Sequence, residues 1–332
     1  MKLDSIYADN IILAREKTFD NNIVIVDGQG RSGKNLISLL LSSMKRMEKM
    51  RLDSNIDYIP RYYFLGKLTL DAAIIALRTE FDEKYYYNSI SRDVNFRLDD
   101  YSGVMKQGKR FEYFKRLFLQ ADEAAVSRLI KQNPIFQEMT HDGLHVAKLY
   151  FAALQERLKI IHVFRDPIGN IYEQNRRNFG SRIGDDPREL QLTYKWKKYI
   201  LPIIVIGYEE EYVSANPIER LVIMVDIMFR LNVQGFEDLS LKEKKQIFFI
   251  EFEDFLVNPE PYMKNLENFI GDLFGKSSRR ILSREKCPRV INLQERERRR
   301  DFIQKNISEK YKLIFTRLVK DYDKKPWLNW NK

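Results

Sequence analysis

The chain has one cysteine, Cys287, and three histidines, His141, His145 and His162, in 332 residues. A single thiol excludes intramolecular disulfides and cysteine-based metal clusters, and so few histidines leave little from which to build a zinc site. No uninterrupted apolar run reaches the ~18 residues needed to cross a bilayer. The opening of the chain carries Asp4, Asp9, Arg15, Glu16 and Asp20 where a secretory leader would carry an apolar stretch. The expected location is therefore cytoplasmic, with no stable membrane insertion. Internal repeats, low-complexity tracts and linkers are missing too, so residues 1–332 are expected to form a single α/β domain, and a hydrophobic content of 44% is enough for a large core.

Charge is not lacking. Lys and Arg number 57 against 47 Asp and Glu, a formal net charge of +10. Such a balance favours anionic partners: nucleotides, acidic glycans, nucleic acid or a membrane surface. The densest basic run, Arg296-Glu297-Arg298-Arg299-Arg300, lies in a stretch from Leu293 to Arg317 that reads as one long charged helix. No aromatic residues interleave with the run for base stacking, so it reads as a solvated helix face and nucleic acid is not an expected partner.

The chain is organised around residues 22–41. The β-branched run Ile23-Val24-Ile25-Val26 ends in Gly28, Gly30 and Gly33, and an apolar pattern at helical spacing follows, so the segment reads strand, tight loop, helix. Glycines let loop N–H groups turn toward an anion, the helix N-terminus adds its positive end, and Arg31 and Lys34 add full charges. The spacing Gly28-x-x-x-x-Gly33-Lys34 matches a Walker A loop, but Asn35 stands where a Ser or Thr hydroxyl would hold Mg²⁺. The loop keeps its anion-binding parts and lacks its metal-binding part.

Downstream, residues 58–118 crowd aromatics and charges (Tyr62-Tyr63-Phe64, Tyr85-Tyr86-Tyr87) with helical segments around 71–79 and 111–119, and read as an inserted substrate lobe. A helix over 121–132 leads to a strand ending at Thr140-His141, and a helix over 146–157 leads to the strand Lys159-Ile160-Ile161-His162-Val163-Phe164-Arg165, which Pro167 cannot extend. This βαβ spacing predicts a parallel sheet with ligands at the carboxyl ends of its strands. Helices are expected around 187–199 and 219–232, then a strand over 246–255 with an acidic end. The tail's Trp327 and Trp330 are expected to pack back onto the body.

Read against known families, Gly28-Gln29-Gly30-Arg31-Ser32-Gly33-Lys34-Asn35-Leu36-Ile37 resembles the 5′-phosphosulfate loop of sulfotransferases that use 3′-phosphoadenosine 5′-phosphosulfate (PAPS), commonly G-x-x-R-S-G-T-T-L-L. Lys159-Ile160-Ile161-His162-Val163-Phe164-Arg165-Asp166-Pro167 is similar to the family's 3′-phosphate strand, and Glu251-Phe252-Glu253-Asp254-Phe255-Leu256-Val257-Asn258-Pro259 to its later Y-E-D-L-x-x-N-P segment. The resemblance implies a P-loop-like parallel β-sheet flanked by helices, with a helical and aromatic lobe inserted after the first βα unit. It also implies sulfuryl transfer from PAPS, without metal, to a hydroxyl or amine of a small-molecule or glycan acceptor, leaving 3′-phosphoadenosine 5′-phosphate (PAP).

On that resemblance Gly30, Arg31, Ser32, Gly33, Lys34 and Asn35 bind the 5′ end of the donor and Arg165 its 3′-phosphate. His141 takes the position of the catalytic base, and Lys34 or Arg31 neutralises the leaving oxygen. Imidazole suits the task because it titrates near neutrality; His145 and His162 read as structural. Two departures stand out. Glu173 occupies the place of the family's 3′-phosphate Ser, with Asn170, Asn175 or Arg176 to compensate, and the C-terminal R-K-G triplet is absent, with Arg279, Arg280, Arg284, Lys286 and Arg289 as replacements. The alternatives are a P-loop kinase or NTPase, for which Gly33-Lys34 and a Walker B-like strand ending at Glu251 speak, and a basic nucleic-acid-binding protein. The sequence names neither the acceptor nor the oligomeric state.

Overall fold

In the computed structural model, which describes residues 11–16, 19–181 and 191–327, the chain alternates strands and helices. The first part runs β1 (Ile23–Asp27), α1 (Lys34–Leu41), α2 (Ser54–Phe64), α3 (Leu70–Ser89), α4 (Arg110–Arg116), α5 (Asp122–Gln132), β2 (Phe136–Met139), α6 (Ala147–Leu154), β3 (Leu158–Phe164) and α7 (Pro167–Asn175). Then come β4 (Thr193–Trp196), β5 (Tyr199–Pro202), α8 (Glu209–Ser214), α9 (Pro217–Glu237), α10 (Leu241–Lys244) and β6 (Ile247–Glu251). The last part is helical: α11 (Phe252–Val257), α12 (Pro259–Ile270), α13 (Ser277–Arg284), α14 (Leu293–Lys305) and α15 (Glu309–Asp323).

All of β1 is buried, which a strand achieves only inside a sheet covered on both faces. The sheet order is β2-β1-β3-β6 and every pairing is parallel. Successive side chains point to opposite faces, and the two apolar cores divide accordingly. Ile23, Ile25, Ile160 and Phe249 meet α3, α6, α9 and α15 on one face, while Val24, Val26, Ile161 and Ile250 meet α1, α11 and α12 on the other. The expected helical insertion after the first βα unit is α2 to α5. Its long helix α3 sends Ala73, Leu77, Phe81 and Tyr85 into the same core as β1.

The chain leaves β1 toward β2 on one side and leaves β3 toward β6 on the other. Between β1 and β3 the direction of connection reverses, and in open parallel sheets the carboxyl ends of the strands at such a reversal are where a ligand crevice lies. The glycine loop after Asp27 and the Arg165 segment after Phe164 line it.

Three expectations need correction. Where a helix was predicted over 187–199, the described part forms the antiparallel hairpin β4-β5; residues 187–190 lie outside the described residues. Thr193-Tyr194-Lys195-Trp196 is β-branched and aromatic, Lys197 takes φ 51 in the turn, and Trp196 stacks across the turn on Tyr199 at 6.2 Å. The strand predicted over 246–255 stops at Glu251, and α11 begins at Phe252. The single helix predicted from Leu293 to Arg317 is broken at Asn306-Ile307-Ser308. There the N-terminus of α9 holds the chain, with Asn216 Nδ2 donating to Asn306 O (3.0 Å) and Ser308 N donating to Glu219 Oε1 (2.9 Å). At the tail, Trp327 is buried and stacks on Phe164 with centroids 4.3 Å apart; Trp330 lies outside the described residues.

Candidate functional site

The loop after β1 owes its shape to close approaches. Gly28 and Gly33 have φ of +145° and +98°, and a Cβ on them would stand 2.6 Å from Val163 O and 2.1 Å from the Phe252 ring, so neither position accepts a side chain. Helix α7 fixes the loop from outside: Asn170 Nδ2 (3.0 Å) and Gln174 Nε2 (3.2 Å) both donate to Gly30 O. Gln29 Nε2 donates to Val225 O of α9 at 3.1 Å. Arg31 sits at φ 68, and its carbonyl accepts from Arg165 Nη1.

Helix α1 starts directly from this loop. Its N-cap Gly33 offers no side-chain cap and its first turn has no acidic residue, so the unpaired N–H groups and the positive end of the helix dipole face the crevice. Ser32 Oγ is buried with no hydrogen-bond partner, and Arg165 Nε, also without a hydrogen bond, has only the Glu253 carboxylate at 3.8 Å. Donors left short of hydrogen bonds beside a helix N-terminus are what a phosphate or sulfate would satisfy.

Lys34 is turned inward. Its Nζ lies 2.6 Å from both Gly28 O and Thr140 O, and the residue is 4% exposed. Two of its three N–H bonds are thus spent on carbonyls that tie β1 to β2, leaving one for a ligand. Burial lowers the ammonium pKa, against the pull of the Asp27, Asp142 and Asp57 carboxylates. Next to it Asp27 accepts from Thr140 Oγ1 (2.9 Å), Gly143 N (2.7 Å), Leu144 N (3.0 Å) and His162 Nδ1 (2.8 Å). Burial alone would raise the Asp27 carboxyl, but the hydrogen bond and charge of His162, the charge of Lys34 and the Gly143 N–H hold it well below the usual carboxylate range.

His141 sits between two residues tied to the loop: Thr140 through Lys34, and Asp142, whose N–H donates to Gly28 O at 3.2 Å. Asp57 on α2 takes the His141 N–H on Oδ1 (3.0 Å) and faces Nδ1 with Oδ2 (3.1 Å). With Nδ1–H donating to the carboxylate, Nε2 is left as the proton acceptor. The His141 side chain is 37% exposed and that of Asp57 9%. Arg61, one turn along α2, stands 3.6 Å from Asp57 and also donates to His141 O. Asp57 is held below the ordinary range because His141 and Arg61 outweigh its burial. His145 donates Nδ1–H to Asp142 O and packs on Phe64; burial, with Arg61 nearby, pushes it down to about 4, so it is neutral at pH 7. His162 is 1% exposed and held by Asp27.

The other side of the crevice is a rim of arginines around one carboxylate. Glu173 on α7 faces Arg31 (3.9 Å), Arg176 (3.5 Å) and Arg299 (3.7 Å). Arg299 lies over the Tyr172 ring at 4.8 Å, and one helical turn earlier Arg296 forks onto Asp166 at 2.7 and 3.2 Å. The basic run is therefore not simply a solvated face: Arg296 and Arg299 turn toward α7, while Arg298 is open to solvent. Asn170, expected to compensate for Glu173, is committed to Gly30 O. Arg284 and Arg289, expected in place of the missing triplet, are bonded to Lys106 O and Glu285 O. Arg165 stands 3.8 Å from Glu253 and over the Phe252 ring. Glu251, the Walker B-like residue of the kinase reading, lies beyond β3 from the loop and pairs with Lys325 at 2.7 Å.

Sequence reasoning missed Asp57, Arg61, Gln174 and Arg299. An Asp-x-x-x-Arg pair one turn apart and arginines at i and i+3 were the available signals.

No protein-family model matches the sequence, and no curated protein matches it either. Among solved structures, the sulfotransferase domain from the curacin biosynthetic pathway aligns at 12% identity and a TM-score of 0.45, covering 78% of this chain and 76% of that one. The sulfotransferase domain of the Synechococcus PCC 7002 olefin synthase aligns at 14% and 0.39, covering 93% and 98%. A Mycobacterium tuberculosis H37Rv sulfotransferase aligns at 9% and 0.40, covering 84% and 76%. The chain is similar to sulfotransferases. At TM-scores below 0.5 these alignments carry no argument about this chain, and what the site can do follows from its own residues.

Proposed function

We propose that the crevice binds PAPS and transfers its sulfuryl group to an acceptor hydroxyl or amine. The observation that carries this reading is the joint anchoring of loop and base: Lys34 and Gly28 grip the residues on either side of His141, whose ring is oriented by Asp57. A base is thereby held beside an anion cradle. In the reaction the acceptor oxygen or nitrogen attacks sulfur and its proton passes to His141 Nε2. The bond from sulfur to the 5′-phosphate oxygen breaks, and PAP departs. Loop N–H groups, Arg31 and the remaining Lys34 N–H face the charge that gathers on the leaving oxygen, and one such donor is worth roughly 2 to 4 kcal/mol in a transition state. Asn35 supplies no hydroxyl for a metal, so binding is expected to need none.

The test is titration with PAP and with ATP, each with and without Mg²⁺, followed by transfer of labelled sulfate from PAPS to a panel of phenols, sugars and amines. PAP should bind without metal and more tightly than ATP. His141→Ala should keep PAP affinity and lower turnover about 10²- to 10⁴-fold. Binding that requires Mg²⁺ and prefers ATP would transfer the site to the kinase reading.

A further inference from the structure

The short helix α4 and the turn after it present a face that the sulfuryl-transfer reading does not use. Phe111 (65% exposed), Leu117 (51%) and Phe118 (88%) stand clear of the body, with Phe114 and Leu119 beside them. Phe111 and Phe114 fall on one side of α4, where Phe114 also meets the Phe96 ring at 5.1 Å, and Leu117 and Phe118 follow in the turn. An apolar face this open is uncommon on a soluble surface.

Poor packing does not account for it, because the opposite face of the same helix is firmly seated. Tyr113 is buried, its hydroxyl donating to Glu48 Oε2 (2.7 Å) and accepting from Lys49 N (2.6 Å). Arg116 forks onto Glu48 at 2.7 and 2.8 Å. The preceding Gly108 N–H is held by Ser42 Oγ at 3.1 Å. The helix is fixed with its phenyl rings outward.

Charge selects the occupant. Between Val104 and Leu119 the chain carries Lys106, Lys109, Arg110, Lys115 and Arg116 against the single acid Glu112. Among the described residues Arg116 alone of these cations forms an ion pair with a carboxylate, and Arg110 lies over the Phe111 ring at 4.8 Å. Lys109 Nζ donates to Lys45 O at 3.1 Å, which leaves its charge without a carboxylate partner. Protruding aromatics bordered by cations that no carboxylate neutralises match the headgroup region of an anionic bilayer, where rings enter the acyl boundary and cations meet phosphates. No helix among the described residues is long and apolar enough to cross a membrane, so contact is with the surface only. We infer that the face made by Phe111, Phe114, Leu117 and Phe118, with Lys115 and Arg110 at its border, docks the protein on an anionic lipid surface.

The test is co-sedimentation of the full chain with phosphatidylcholine vesicles containing phosphatidylglycerol, and with pure phosphatidylcholine vesicles. The protein should bind the anionic vesicles, lose them as salt rises, and ignore the neutral ones. The double variant Phe111→Ser, Phe118→Ser should lower partitioning at least tenfold. Lys115→Ala, a milder change at an exposed site, should lower it about fivefold, the effect of one cation near such a surface. Thermal unfolding of each variant should match that of the parent. The inference is overturned by absence of vesicle binding, by binding that both variants retain, or by self-association in analytical ultracentrifugation that the double variant abolishes while vesicles are ignored. None of these outcomes depends on sulfuryl transfer.

Discussion

Around Asp27 the polar contacts are short and buried, from 2.7 to 3.0 Å, whereas around Glu173 the ion pairs spread from 3.5 to 3.9 Å at a partly open rim. Charge-assisted hydrogen bonds close at about 2.7–2.9 Å, so the first group is complete and the second is slack. Asp27, His162, Thr140 and Lys34 bond to one another and to backbone groups, and these contacts hold two strand ends and a loop together. The arginines about Glu173 keep unspent donors and give up little if they change partners, since exposed ion pairs are worth about 0–1 kcal/mol. One wall sets geometry, and the other is open to exchange.

The sharpest break of this contrast is Asp27→Asn. Removing one partner of a buried pair should cost about 3–5 kcal/mol, read by urea unfolding. Because the folded-state pKa of Asp27 lies below its ordinary 3.8, its contribution is complete above that value and is lost as pH falls beneath it. The parent should therefore lose stability steeply below about pH 4, and the variant should be flatter there. An Asp27→Asn protein as stable as the parent would mean the tight wall is not holding anything.

Asp57→Asn comes next. It keeps an acceptor for the His141 N–H but loses the carboxylate that fixes Nδ1–H, and turnover should fall roughly 10²-fold, the lower part of what a positioned base contributes. PAP affinity and KM for the acceptor should hold. A rise in KM with unchanged kcat would assign Asp57 to acceptor binding instead.

Glu173→Ser probes the slack wall. On the proposed reading Glu173 borders the donor's 3′-phosphate, and removing a like charge at such a range relieves ~1–4 kcal/mol of repulsion, so PAP should bind about tenfold more tightly or better while 5′-AMP, which lacks the 3′-phosphate, is little changed. An equal gain for both ligands would place the effect on the 5′ side, through Arg31. The smallest change is expected from Arg299→Gln, a loss of PAP affinity within about 1 kcal/mol that disappears at high salt.

The parallel sheet and the glycine loop were legible because each has a local signal, a β-branched run and clustered glycines; within the helical insertion α2 was not foreseen and α3 runs on to Ser89, past the expected 71–79, because its aromatics and charges mix without a clean apolar stripe. The hairpin of β4 and β5 was not, since Tyr194-Lys195-Trp196 carries helical and strand signals together and only the Lys197 turn decides between them. Nor was the break at Asn306-Ile307-Ser308, because Asn216 and Glu219, some ninety residues earlier, create it. The same holds within the site. Gly28 to Asn35 and His141 can be singled out as candidates by residue type, while Asp57, Gln174 and Arg299 come beside them only through contacts between segments distant in sequence.

The stacking of Trp327 on Phe164 bears on the order in which the protein can be made. The sheet has all its strands once Glu251 has been synthesised, but Arg296, Arg299 and the indole that closes over Phe164 come later. At about 5–20 residues per second, the stretch from Glu251 to Trp327 takes several seconds to synthesise, and until it is made Phe164 packs on His162, Phe229 and Phe249 without the indole and the rim lacks Arg296 and Arg299. The rim that Arg296 and Arg299 form against α7 is therefore the last part of the site to be completed.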